Sequence, residues 1–183
     1  DWSSDVCSSD LLRLDAQPIN IGGHLVTFYG VEYDYPNDGV STWYYRVKSG
    51  GPPAISHVMF GMGCPTIRIL DAGTWDGVDM TSLRSGQGYP EPNVFPSGPI
   101  WDPTTGVTGM KYNHGFEEGQ VRYYYFTVND NYSVGDIVFG IKAGLQTTYG
   151  YIPGPDYSCE PVDKPPVPGI SLIKTGRTVI PPV

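Results

Sequence analysis

An antiparallel β-sandwich, immunoglobulin-like or jelly-roll-like, is the fold this sequence predicts, with a β-barrel as the alternative. Three observations lead there. Turn-formers are abundant, with 24 Gly and 18 Pro in 183 residues. Aromatic residues make up 13% of the chain, led by 14 Tyr, and they recur in short alternating runs between those turn-formers. No stretch carries the period of about 3.6 residues that a crossover helix needs, which argues against a parallel sheet. Only 16% of residues are charged, too few for charge-driven disorder, and the composition does not suit a helical bundle or a coiled coil.

The runs follow in order. Residues 24–35 (HLVTFYGVEYDY) are rich in β-branched and aromatic side chains, and Pro36-Asn37-Asp38-Gly39 turns the chain. Residues 41–48 (STWYYRVK) alternate, with Trp43, Tyr45 and Val47 on one face and Thr42, Tyr44, Arg46 and Lys48 on the other. After the break at 49–53, strand-like runs return at 55–62 (ISHVMFGM) and 66–70 (TIRIL). Residues 71–103 are Gly- and Pro-rich with scattered Trp75, Tyr89, Phe95 and Trp101, and read as a long ordered excursion holding a short strand or two. Residues 107–112 (VTGMKY) are a short strand. Residues 120–129 (QVRYYYFTVN) are the strongest, apolar or aromatic on both faces, which places them centrally in a sheet. The segment 129–135 reads as a turn, 136–143 (DIVFGIKA) as the strand pairing back in a hairpin, and 147–152 (TTYGYI) as the last strand.

The ends of the chain differ from its middle. Residues 1–11 (DWSSDVCSSDL) resemble the in-frame translation of a common sequencing adapter and are set aside as an artefact. Cys7 goes with them, and so do Asp1, Asp5 and Asp10, three of the nineteen acidic residues, which moves the net charge from −8 to −5. The β-sandwich domain is assigned to 12–159. Residues 160–169 (EPVDKPPVPG) read as an extended Pro-rich linker, and 170–183 as the truncated start of a second β module. The acidic balance disfavours nucleic acid as a partner. No run of about 18 apolar residues is present, so this fragment holds no membrane span.

Cys64 and Cys159 remain, 95 positions apart. Neither belongs to a CxxC pair, which disfavours structural zinc. Their positions suggest a disulfide from the domain's interior to its C-terminal end, worth on the order of 4–5 kcal/mol in the chain-entropy model; two buried thiols are the alternative. A disulfide places the protein outside the cytoplasm, extracellular or at the cell surface.

Five blocks in order, STWYYRV, AISHVMFGM with its Cys, DPTTGVTGMKY, YYYFTV with YSVGDIVFGIKAG, and YGYIPGPDYSC, together resemble a secreted module of bacterial and archaeal surface proteins. Residues 170–176 (ISLIKTG) are similar to the opening of the "conserved repeat" surface domains that often follow it. The resemblance covers about residues 40–159. It implies a secreted all-β building block with a Cys64–Cys159 bridge, and no catalytic residues. It also implies neighbouring β domains of the same parent chain as partners, with other surface proteins or glycans beyond them.

Other functional patterns are thin. GxSxG, HExxH and P-loop motifs are absent. His57 alternates with Ile55 and Met59 and reads as a buried structural histidine. His114 with Glu117 and Glu118 reads as a polar turn rather than a metal or acid–base site. Asp71, Asp76, Asp79 and Glu91 are the carboxylates a glycoside hydrolase could use, and read as a solvated loop. No cofactor is expected. Trp75, Trp101 and Tyr89 are the candidate sugar-stacking residues, with Tyr149 and Tyr151 as further supply. Asp130, Asn131 and Asp136 could ligate calcium, though they suit a turn better and match no EF-hand spacing. Asn131-Tyr132-Ser133 is a formal glycosylation sequon. The functional expectation is a non-enzymatic structural or adhesive module of a secreted or surface protein. One alternative is a carbohydrate-binding domain of a larger extracellular enzyme. Another is a strand-exchanging subunit of an extracellular filament, with 170–183 completing a neighbour's sheet.

Overall fold

The computed structural model describes residues 16–75, 89–90, 99–113, 115–156 and 158. Its strands are β1 (Ile19–Ile21), β2 (His24–Tyr33), β3 (Ser41–Lys48), β4 (Ile55–Gly61), β5 (Ile69–Trp75), β6 (Tyr89–Pro90), β7 (Ile100–Asp102), β8 (Val107–Tyr112), β9 (Val121–Val128), β10 (Val134–Ala143) and β11 (Gln146–Pro155). Among the described residues there is no helix long and apolar enough to cross a membrane.

Two antiparallel sheets result, a six-stranded one ordered β1-β2-β3-β9-β5-β6 and a five-stranded one ordered β11-β10-β4-β8-β7. They are separate sheets facing each other, so the barrel alternative is set aside. The pairings β2–β3–β9–β5 on one side and β11–β10–β4 on the other reproduce the ABED and GFC order of an immunoglobulin-type sandwich. The departures are β1 and β6, which extend the first sheet at its two edges, and β7–β8, which falls between the strands equivalent to D and E and adds to the free side of β4.

The alternation read from the sequence builds the interior. Trp43, Tyr45 and Val47 of β3 meet Tyr124, Phe126 and Val128 of β9 and Val58 and Phe60 of β4 in one buried cluster. Phe60 is its hub, with ring centroids 4.6 Å from Tyr45, 4.8 Å from Phe139 and 5.6 Å from both Phe126 and Tyr112. Tilted and edge-on packing of this kind adds about 0.5–1.5 kcal/mol per pair beyond the area buried. β9 lies between β3 and β5, with Tyr124, Phe126 and Val128 in the core and Tyr123 and Thr127 buried on the outer face.

Three expectations need correction. Asp71 to Trp75 do not belong to an excursion but complete β5, paired along β9. Asp71 and Gly73 hid the strand, because both residue types are depleted in strands. Gly73 leaves room for a neighbour there: a Cβ at that position would come 2.5 Å from the Tyr125 ring, which would have to shift. Second, the segment after β9 is not a hairpin, since β10 pairs with β11 and β4 in the other sheet. The chain crosses between sheets there. Tyr132 is buried in the crossover, its carbonyl accepts from the Tyr33 hydroxyl at 3.0 Å, and the Asp130 carbonyl accepts from Ser41 Oγ at 2.6 Å.

Third, His57 does not share a face with Ile55. Opposite the β10 pair Lys142 and Ala143, β4 offers His57 and Ile55, leaving Ser56 as an extra residue. That bulge flips the alternation. Ile55, Val58 and Phe60 enter the core, and His57 turns to the outer face of the five-stranded sheet, where it is still a buried, hydrogen-bonded histidine.

Candidate functional site

That outer face carries the most concentrated chemistry of the described residues. β7 and β8 bring Asp102, Thr105 and Lys111 beside His57 of β4. The Asp102 carboxylate is buried. It accepts from Lys111 Nζ at 2.8 Å, Thr105 Oγ1 at 2.7 Å and Thr105 N at 3.0 Å, and it lies 3.1 Å from His57 Nε2. Burial alone would raise its pKa. The bonds from Lys111, Thr105 and His57 outweigh that and hold the carboxyl far below the usual range. Burial and the neighbouring Lys111 push the His57 pKa down, against the pull of Asp102.

A carboxylate with both oxygens occupied by donors is a poor acid, base or nucleophile. The arrangement is an anchor. It ties the β7–β8 turn over the sheet, where Thr105 and Val107 side-chain atoms lie 3.5 Å from the position a Cβ on Gly140 would take. Nothing periodic in the sequence marked this cluster, because positions 57, 102, 105 and 111 meet only in the folded chain. The run DPTTG signalled no more than a turn.

Beside this strap stand two tyrosines. β11 alternates Gly150, Ile152 and Gly154 inward with Tyr149, Tyr151 and Pro153 outward. The two glycines are needed inward: a Cβ would come 2.6 Å from Ile21 at Gly150 and 2.4 Å from Ile137 at Gly154. Tyr149 is 50% exposed and Tyr151 69%. The Tyr149 hydroxyl donates to the Thr105 carbonyl. Tyr151 sits directly opposite Val138, one of the residues lining a shallow hollow of about 220 Å³ with Met62, Gly63, Gly106, Val107 and Thr108.

Other sequence candidates disperse. Trp101 is 62% exposed but belongs to β7, at the opposite edge of the sheet from β11. Trp75 and Tyr89 have their backbones in the six-stranded sheet, opposite Tyr123 and Thr74, and their side chains are not among those described. The five aromatics therefore form no single platform. Of the calcium candidates, Asn131 exchanges bonds with Asp34, Nδ2 to Oδ1 at 2.7 Å and Oδ1 from the Asp34 amide at 3.2 Å. Asp130 accepts from the Asn131 amide at 2.9 Å. Asp136 stands apart on β10, exposed and opposite Pro153. Among the described residues no cluster of three or more His, Cys, Asp or Glu could hold a metal ion. The Asn131 side chain is buried and engaged, which leaves the sequon amide poorly placed for a glycan.

Asp71, on β5, accepts from the Tyr125 hydroxyl at 3.2 Å and from the Ala72 amide at 2.9 Å. Asp76, Asp79, Glu91 and His114 lie outside the described residues. Glu117 opens an exposed turn, its amide donating to Gln120 Oε1 at 2.7 Å, and Glu118 lies within it. Cys64 is buried, with Sγ 2.9 Å from Thr66 Oγ1, and Cys159, residues 160–169 and residues 170–183 lie outside the described residues. No protein-family model matches the chain, and none of the curated proteins or solved structures matches it.

Proposed function

We propose that this chain is a non-enzymatic module of a secreted or cell-surface bacterial or archaeal protein, working as a stiff, adhesive building block. A Cys64–Cys159 disulfide closes it. The observation that carries the reading is where the two cysteines fall in the strand registers. β4 runs antiparallel to β10, and β10 antiparallel to β11. The C-terminal ends of β4 and β11 therefore lie at the same end of the sheet, with only the start of β10 between them. Cys64 follows β4 by three residues and Cys159 follows β11 by four. A bridge across that end locks the last strand to a central one, the linkage most useful to a domain that transmits force.

Intact mass with alkylation tests this. In the unreduced, denatured full chain only Cys7 takes the label; after reduction all three cysteines do. Reduction lowers stability by on the order of 4–5 kcal/mol. Labelling of Cys64 and Cys159 without reductant overturns the proposal. A second reading, a carbohydrate-binding domain of a larger extracellular enzyme, draws on the exposed aromatics of β7 and β11. The filament reading depends on 170–183, which lie outside the described residues.

A further inference from the structure

We infer that the outer face of β11, built from Tyr149 and Tyr151 with the adjoining hollow, binds uncharged polysaccharide. The inference rests on the adhesive reading above and supplies its ligand class. Side chains two apart on a strand sit on the order of 7 Å from each other, the scale of a pyranose ring and its substituents. The two phenol rings form a row along the edge strand, and Tyr149 is held by its bond to the Thr105 carbonyl. A pre-held ring loses little entropy on stacking.

Size and charge choose among occupants. The hollow, at about 220 Å³, is smaller than the roughly 300–1,000 Å³ of sites that enclose a small molecule; it suits a chain lying across the surface. The open part of two tyrosine rings amounts to roughly 200–300 Å², well short of the roughly 800 Å² per partner that a stable protein interface buries. The face itself is balanced. Asp136, opposite Pro153, stands at one end of the row and Lys142, opposite Thr147, at the other, where each can hydrogen-bond sugar hydroxyls. Without residues 1–11 the chain is still acidic, at −5, and repels anionic polysaccharides.

The test is co-sedimentation of the full chain with insoluble cellulose, chitin and mannan, and affinity electrophoresis in soluble mixed-linkage β-glucan and in alginate. Binding to at least one uncharged polymer, with none to alginate, is expected. Tyr151→Ala weakens it about tenfold and the Tyr149→Ala, Tyr151→Ala pair abolishes it, while Trp101→Ala leaves it unchanged. Melting curves confirm that each variant is folded, and Tyr149→Phe, which keeps the ring, retains binding if Tyr149→Ala proves unstable. No binding to any uncharged polymer, preference for alginate, or loss through Trp101 instead of Tyr151 overturns the inference. Those results leave the cystine count untouched, so failure of the glycan face and failure of the extracellular module are told apart.

Discussion

Tyrosines cover the outer faces of both sheets, and the two faces use them in opposite ways. On the six-stranded sheet Tyr44 and Tyr123 are 2% and 5% exposed and pack together with Tyr29, Val121 and Tyr125. The Tyr44 hydroxyl donates to the buried Glu32 carboxylate at 2.7 Å, and Tyr125 donates to Asp71. On the five-stranded sheet Tyr149 and Tyr151 stand open. For Tyr125 and Tyr149 the difference comes from what occupies the space above the glycine opposite each. Gly73, opposite Tyr125, leaves room that the Tyr125 ring itself fills. Gly140, opposite Tyr149, has its space taken by Thr105 and Val107 of the strap. A tyrosine ring is thus cover on one sheet and is displaced into solvent on the other. Aromatic residues satisfied by built-in carboxylates are cover, and those denied a place are left open to solvent.

The strap makes the two faces differ, so its anchor carries the largest expected effect. Asp102→Ala leaves Lys111, His57 and Thr105 without their shared acceptor, and breaking such a buried pair costs about 3–5 kcal/mol. Lys111 keeps some access to water, which favours the lower end. Urea unfolding measures it, and a loss below about 1 kcal/mol would show that the strap is not held through Asp102. The same cluster contributes to the wild-type pH profile, alongside buried His24, whose pKa burial also lowers. The folded pKa of His57 is lowered, so the unfolded chain binds its proton first, and stability begins to fall as pH drops below about 6.5. The folded pKa of Asp102 is also lowered. Its contribution is intact above about pH 4 and is lost as pH falls further. Both losses lie on the acid side, and Asp102→Asn should flatten the lower one. Lys111 and Lys142 face the same histidine and oppose its protonation.

On the opposite sheet the expected effect is smaller. Tyr44→Phe removes one bond to a buried carboxylate, and hydrogen bonds to charged groups are worth about 1.5–3 kcal/mol. Glu32 and Tyr44 each have further interactions, so about 1.5 kcal/mol is expected from chemical denaturation. A neutral result would mean that the tyrosine face is held by area alone.

Alternation and turn chemistry made much of the sandwich legible. β3 and β8 match the runs at 41–48 and 107–112 residue for residue, because each alternates cleanly between Gly- or Pro-bearing breaks. The signal failed wherever tertiary packing overruled a local rule. Gly73 masks half of β5 because it answers to a ring on another strand. Ser56 inserts a bulge that no periodicity announces, and with it moves His57 from the core face of β4 to the outer face, where it is buried against Asp102. The crossover at Tyr132 looked like a hairpin because turn residues are the same whether the next strand joins the same sheet or the other. The site fared worse for the same reason. Exposed aromatics were visible as a supply, yet only register shows that Tyr149 and Tyr151 form a row while Trp101 sits across the sheet.

The least costly substitutions sharpen the contrast most. Tyr149→Phe gives up a bond at a half-exposed ring, where water can take over both the hydroxyl and the Thr105 carbonyl. About 0.5–1 kcal/mol is expected, below the value for Tyr44→Phe on the other sheet. Tyr151→Ala removes a side chain that fills no buried space, and its stability should stay within about 0.5 kcal/mol of wild type. Urea midpoints of the three variants, taken at one pH, order the two faces directly. If Tyr151→Ala destabilises as much as Tyr44→Phe, the exposed row is structural cover after all, and the distinction between the two sheets collapses. If it is neutral, the chain carries an unburied aromatic pair without any gain in stability, which is the mark of a surface kept for contact.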